Sequence, residues 1–214
     1  MMAQYGFLFD NTRCTGCRTC MLACKDYKDL DQTQAFRKVY DFEGGAIKEA
    51  EDGSVTSDVF MYHVSAACNH CANPACLEAC PVGAVVKDEG NGLVYINQDV
   101  CGGARACVEA CPYGVPIFFD DVKKANKCDG CRDRVAAGLR PICVESCPLR
   151  ALDFGEIEEL RAAHPDAVDA IAPLPAGDAT GPSLCIIAAA TATADAKGTV
   201  TNEKTIAGEE AWAS

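Results

Sequence analysis

The chain has 214 residues, 16 of them cysteine, and carries a formal net charge of −12 with a pI near 4.6. That acidity excludes a nucleic-acid binder, which needs a basic footprint. No apolar stretch approaches the roughly 18 residues that span a bilayer; the longest, Leu184 to Ala190, is too short.

Sixteen cysteines are too many for an ordinary cytosolic enzyme, and three chemistries compete for them. Disulfides need an oxidising compartment, and the opening MMAQYGFLFDNTR has neither the basic start nor the apolar run of a secretion signal. Zinc prefers C-x-x-C knuckles set far apart. The cysteines here come in tighter groups, and iron–sulfur clusters account for them.

In chain order, residues 5–9 (YGFLF) read as a short strand ending at Asp10-Asn11. The first motif follows: Cys14, Cys17, Cys20 and Cys24, with a short helix expected after the last cysteine. Residues 36–64 alternate like a hairpin around Gly44-Gly45 and EAEDGS. They carry no recognisable chemistry and read as a structural insertion. The second motif is Cys68, Cys71, Cys76 and Cys80-Pro81, and two short strands around a Gly-Asn-Gly turn come next.

The third motif has Cys101, Cys107 and Cys111-Pro112, but Ala104 stands where the bacterial ferredoxin pattern C-x-x-C-x-x-C-x-x-x-C-P has its second cysteine. A methyl group cannot bind iron. Residues 113–119 repeat the strand pattern. The fourth motif is Cys128, Cys131, Cys143 and Cys147-Pro148, with a helical turn in its spacer that Gly138 and Pro141 end. Ala151–Phe154 reads as a strand, and EIEELRAAH as a helix stopped by Pro165. Beyond 165, Pro173, Pro175, Pro182 and several glycines predict an extended arm with no core of its own, and an Ala/Thr-rich, then charged tail from 188.

Repetition is the main architectural signal. Two motifs build one two-cluster ferredoxin unit, because the fourth cysteine of each ligates the other's cluster. The expected fold is therefore α+β: two ferredoxin-like units with short strands and helices, a β-hairpin insertion and an extended C-terminal arm. Gly16, Gly130 and Gly102 or Gly103 suit a loop that turns its N–H groups towards sulfur. Arg18, Lys25, Arg105 and Arg132 flank ligand positions and read as solvated surface charge. His70, between Cys68 and Cys71, reads as a neighbour of a cluster or of a partner subunit and not a ligand, since cysteines suffice; His63 and His164 read as structural, and Cys185 as a small buried hydrophobe. There is no Ser-His-Asp set, paired-carboxylate signal or phosphate loop, and no catalytic residue is expected.

The segments RCTGCRTCMLACKDYKDL, CNHCANPACLEACPVGAV and CDGCRDRVAAGLRPICVESCPLRALDFG resemble the electron-transfer iron–sulfur (beta) subunit of the dimethyl sulfoxide reductase family, among the four-cluster subunits of molybdopterin oxidoreductases. The resemblance runs from about Gln4 to Pro175. It implies a non-catalytic subunit that passes electrons between a quinol-linked integral membrane anchor and a molybdenum–pterin catalytic subunit. The bound substrate is left open: nitrate, tetrathionate, polysulfide, formate or aromatic-hydroxyl chemistry belongs to the same wider family, and a diffusing polyferredoxin is a further alternative.

The resemblance also implies nested ligand sets. Cys14, Cys17, Cys20 and Cys147 would hold cluster one; Cys24, Cys128, Cys131 and Cys143 cluster two; Cys68, Cys71, Cys76 and Cys111 cluster three; and Cys80, Cys101 and Cys107 cluster four. Residues 1–35 with 120–165 would form an outer unit, 36–66 the hairpin insertion, 67–119 an inner unit and 166–214 a partner-binding arm and tail. The dimethyl sulfoxide reductase subunit has cysteine where this chain has Ala104; the nitrate reductase subunit has a non-ligating tryptophan there and a [3Fe-4S] cluster. The expected cofactors are three [4Fe-4S] clusters and one [3Fe-4S], the alternative being four [4Fe-4S] with one non-protein ligand. The subunit would sit peripherally on the cytoplasmic membrane through its partners, on the extracytoplasmic face by co-export or else on the cytoplasmic face.

Overall fold

A computed structural model describes residues 3–178, 180–203 and 206. The chain opens with β1 (Tyr5–Asp10) and α1 (Thr19–Tyr27), then β2 (Lys38–Gly44), β3 (Ile47–Glu49), β4 (Val55–Ser57) and β5 (Phe60–Ala66). The middle holds α2 (Ala75–Glu78), β6 (Val85–Lys87), β7 (Val94–Ile96), α3 (Ala106–Ala110), β8 (Ile117–Phe119) and β9 (Lys124–Asn126). It closes with α4 (Arg132–Ala136), α5 (Ile142–Glu145), β10 (Leu152–Glu156), α6 (Ile157–Ala163), β11 (Leu184–Ile187) and β12 (Thr199–Val200). The mixed α+β class with small sheets and short helices is as expected.

β1 is the central strand of a three-stranded sheet, antiparallel to β10 and parallel to β11. Its run of consecutive apolar residues demands burial on both faces. Phe7 and Phe9 enter the main core, while Leu8 enters a smaller one with Ile157 and Cys185. The hairpin of β2 and β5 packs Val39, Phe42, Tyr62 and Val64 into the same main core, and its tip, β3 with β4, stands in solvent.

Two antiparallel pairings position the cysteines. Phe9 of β1 faces Leu152 of β10, which brings the start of the first motif beside the end of the fourth. Val85 of β6 faces Ile96 of β7, which does the same for Cys80 and Cys101. In both cases each cysteine lies five residues from the paired position, so the two halves use one geometry.

Three elements differ from expectation. α1 begins at Thr19 and carries Cys20 and Cys24, where a helix was expected only after Cys24; Arg18, at φ 61, reverses the loop one residue earlier. β9 (KAN) has no strand signature of its own and forms because β8 pairs with it. The arm does have a core: Ile171 and Ile186 are fully buried, and β11 completes the central sheet. Proline and glycine content described the connections well, but a four-residue apolar run needs only a paired neighbour to become a buried strand. The first part of the tail follows suit, with β12 pairing to β2; most of the charged remainder lies outside the described residues.

Candidate iron–sulfur centres

All four motifs close with C-x-x-x-C, and each of those segments runs through helical turns: Cys20 and Cys24 in α1, Cys76 before Cys80 at α2, Cys107 before Cys111 at α3, Cys143 before Cys147 at α5. Residues four apart share a helix face about 6 Å apart along the axis. Each helix can therefore give one sulfur to each of two neighbouring sites. α1 packs on α5 and α2 on α3, so the helices come in reciprocating pairs.

Three cavities show the result. Cys14, Cys17, Cys20 and Cys147 line one, which encloses about 350 Å³ of space between protein atoms, part of it open to solvent. Cys68, Cys71, Cys76 and Cys111 line a second of about 360 Å³. Cys80, Cys101 and Cys107 line a third of about 300 Å³, with Ala104 in its wall. That third lining contains no carboxylate and no imidazole. Around Cys24, burial first and then the charges of Cys128, Cys143 and Cys131 push the thiol up, so these four sulfurs also share one neighbourhood.

These groups are spread around cavities, not gathered on a point. A tetrahedral zinc with Zn–S bonds of about 2.3 Å would hold its sulfurs within about 3.8 Å of each other. Among the described residues, no three His, Cys, Asp or Glu side chains are placed to hold a single metal ion. The donor set, all sulfur around open space, fits a polynuclear iron–sulfur group.

Burial opposes thiolate formation at these sites. It pushes Cys14 up to about 11, against the backbone N–H of Gly16, which lowers it, and pushes Cys76 and Cys131 each up to about 12. Bound iron would stabilise the thiolates that burial disfavours. Cys17 is exposed, and a hydrogen bond with Thr19 lowers its pKa. Cys147 Sγ accepts the Ala151 N–H at 3.3 Å and Cys80 Sγ the Ala84 N–H at 3.2 Å, another correspondence between the halves. Gly16, at φ 66, keeps the first loop tight: a Cβ there would lie 2.5 Å from the His63 ring.

The hairpin carries chemistry, contrary to its reading as a bare insertion. Arg37, on its first arm, is 2% exposed. Its Nη1 donates to the carbonyl and hydroxyl of Ser65, and that hydroxyl lies 3.4 Å from Cys20 Sγ. Burial works against the guanidinium's charge, but the thiolates of Cys143, Cys20, Cys128 and Cys24 outweigh it and raise its pKa. Arg37 thus stands between the first two cysteine groups as a counter-charge to both.

The cations flagged in the sequence are occupied elsewhere. Arg18 pairs with Asp41, Arg105 pairs with Asp120 at 3.1 Å, Lys25 binds the carbonyls of Asp31 and Gln32, and Arg132 lies over the Tyr95 ring. The buried cations, Arg37 and Lys127, were not singled out. Adjacency to a cysteine does not distinguish them, and Arg37 lies far from its sulfurs in sequence. Cys185 is buried in β11, away from the four groups.

Residues 59–157 match the 4Fe-4S dicluster domain family. The chain is 50% identical over 208 residues to the B subunit of anaerobic dimethyl sulfoxide reductase of Escherichia coli (strain K12), covering 96% of this chain and 100% of that one. This protein belongs to the dimethyl sulfoxide reductase B-subunit family. The family's reach extends to Haemophilus influenzae, whose anaerobic dimethyl sulfoxide reductase B subunit is 47% identical over 86% of this chain and 89% of its own. More distantly, formate dehydrogenase 2 subunit beta (cytochrome c-553) of Nitratidesulfovibrio vulgaris is 36% identical over 73% of this chain and 78% of its own. As a member, the protein is an iron–sulfur electron-transfer subunit of an oxidoreductase complex, not its catalytic subunit. Among the described residues no helix is long and apolar enough to cross a membrane.

Proposed function

We propose that this subunit carries single electrons along a row of four clusters between a membrane anchor that exchanges electrons with quinol and a molybdenum–pterin catalytic subunit that reduces dimethyl sulfoxide or a related acceptor. The observation that supports this most is the 50% identity to a dimethyl sulfoxide reductase B subunit across the whole length of that relative. Purification from the native host tests it. Co-elution with a molybdenum protein and an integral membrane protein, and quinol-dependent reduction of dimethyl sulfoxide by the complex, are the expected results. A subunit recovered alone and monodisperse from solubilised membranes and cytosol would favour a diffusing polyferredoxin and overturn the proposal. The complex sits on the membrane surface through its anchor, on the extracytoplasmic face by co-export with the catalytic partner.

The ligand sets belong to the proposal. Cys14, Cys17, Cys20 and Cys147 hold the first cluster; Cys24, Cys128, Cys131 and Cys143 the second; Cys68, Cys71, Cys76 and Cys111 the third; Cys80, Cys101 and Cys107 the fourth, a three-iron cluster. Each bound cluster would accept and release one electron. The protein's part is to fix the four in a row, to exclude water from the buried sulfurs and to place charge beside them. The outer unit (1–35 with 120–165) then carries the first and second clusters and the inner unit (67–119) the third and fourth. The cavity linings and the β1–β10 and β6–β7 pairings support this order.

Cys147→Ser tests the order directly. It should disturb the cluster of Cys14, Cys17 and Cys20 and spare that of Cys128 and Cys131, read as loss of one spectroscopic component in a redox titration. Loss confined to the cluster of Cys128 and Cys131 would show the pairing to be wrong.

A further inference from the structure

Two buried side chains join the central cysteine groups, and they reach in opposite directions. Lys127 precedes Cys128 of the fourth motif and is 1% exposed. Its ammonium has three protons and three acceptors: Cys68 Sγ at 3.2 Å, the Cys128 carbonyl at 2.9 Å and the Val94 carbonyl. The negative charges near it are those of Cys68, Cys128 and Cys76, and no carboxylate among the described residues pairs with it. An ammonium buried without a counter-charge is too costly to persist in a core. Here the cysteine sulfurs provide that counter-charge.

His70 is the reciprocal element. It lies between Cys68 and Cys71, at the loop position that Gly16, Gly103 and Gly130 occupy in the other motifs, all at positive φ. His70 adopts φ 43 there, a conformation unfavourable for a residue with a side chain. Glycine would serve the loop better, so the imidazole is retained for what it contacts. The Val94 N–H donates to Nδ1 at 2.9 Å, which places the ring proton on Nε2. Nε2 is buried, has no hydrogen-bond partner among the described residues, and lies beside the fourth-motif loop that begins at Cys128. It stands 3.3 Å from where a Cβ on Gly130 would be, so the absence of a side chain in the fourth motif makes its space. One residue of β7, Val94, thus anchors both donors, His70 through its N–H and Lys127 through its carbonyl.

We propose that Lys127 and His70 are a reciprocal pair of positioning residues that set the potentials of the two central clusters, Lys127 reaching from the loop of one cluster to a sulfur ligand of the other, and His70 presenting its Nε2 proton to the loop that holds Cys128. The proposal rests on the ligand sets given above, in which Cys68 and Cys128 belong to different clusters. A donor at a ligand sulfur stabilises the more negative, reduced form and raises the potential, and a charged donor does so more strongly than a neutral one. Lys127 therefore lifts the cluster of Cys68 more than His70 lifts the cluster of Cys128.

Lys127→Met removes the charge and keeps the stem. In the purified complex, followed by electron paramagnetic resonance during redox titration, the reduced-to-oxidised ratio of the cluster bound by Cys68 at fixed potential should fall at least tenfold, about 59 mV for a one-electron couple. His70→Gly, which suits the loop's backbone, should lower the cluster bound by Cys128 by a smaller factor. The two outer clusters should stay within twofold. Full iron content with all four ratios within twofold in both variants overturns the proposal and leaves the ligand sets standing. A shift confined to an outer cluster overturns the ligand sets instead. Should Lys127→Met fail to hold its clusters, the unsubstituted complex labelled with ¹⁵N-lysine decides. Among the described residues Lys127 is the lysine whose Nζ contacts a cysteine sulfur, so pulsed resonance should show ¹⁵N coupling to one reduced central cluster, and its absence overturns the proposal.

Discussion

The oxidised unsubstituted protein should show the near-isotropic resonance signal of a three-iron cluster, integrating to about one spin per chain, and Ala104→Cys should abolish it. The bound iron should rise by about one atom per chain. The reason is the donor count. The cavity wall near Ala104 offers the sulfurs of Cys80, Cys101 and Cys107 and nothing else that binds iron. Gly102 and Gly103 have no side chains, and the Arg105 guanidinium, a cation, is stacked on Phe118 and paired with Asp120. Ala104 itself is exposed, so a fourth iron at that corner would have only water or hydroxide as its outer ligand and would be lost on mild oxidation. A cysteine at 104 closes the corner. Quantitative iron analysis and a resonance spectrum of the oxidised protein check both halves, and a silent oxidised spectrum with sixteen irons in the unsubstituted chain refutes the expectation.

Arg37→Leu should be the most destabilising of the single changes considered. Removing one member of a buried, charge-compensated set costs about 3–5 kcal/mol, because the partner charges are left in the core. Here the partners are the sulfurs of Cys143, Cys20, Cys128 and Cys24. Iron should be lost first from the two groups that contain them. Ser65, which receives the guanidinium at both its carbonyl and its hydroxyl, loses that donor as well. Arg37→Lys keeps the charge but not the planar fork and should recover part of the loss. Thermal unfolding of the cluster-loaded protein, with iron content measured alongside, reads both. Unchanged midpoints and full iron in Arg37→Leu would show that the guanidinium is not the counter-charge argued here.

Much of the candidate site was legible because iron–sulfur ligation is local in sequence. The first motif sets three cysteines two residues apart in one loop, and all four motifs close with a cysteine on the next helical turn, so the candidate ligands stand out by spacing. The missing donor at Ala104 is visible for the same reason. His70 also had a readable signal: aligning the four motifs puts it where the other three have glycine.

What the sequence determined by itself, then, was the chemistry of each loop: sulfur donors, their number, and the turns that present them. The tertiary structure decided which loops meet and what lies between them. Sulfurs four residues apart on one helix could each enter either neighbouring site. The pairing of β1 with β10 and of β6 with β7 brings particular loops together. The burial of Arg37 and Lys127 was equally invisible, because no local pattern separates a buried cation from a solvated one; only the hairpin folding over β1 and β7 lying against the fourth motif removes them from water. β11 was hidden because four apolar residues carry no periodicity, and only the open edge of β1, which lies far away in the chain, makes them a strand.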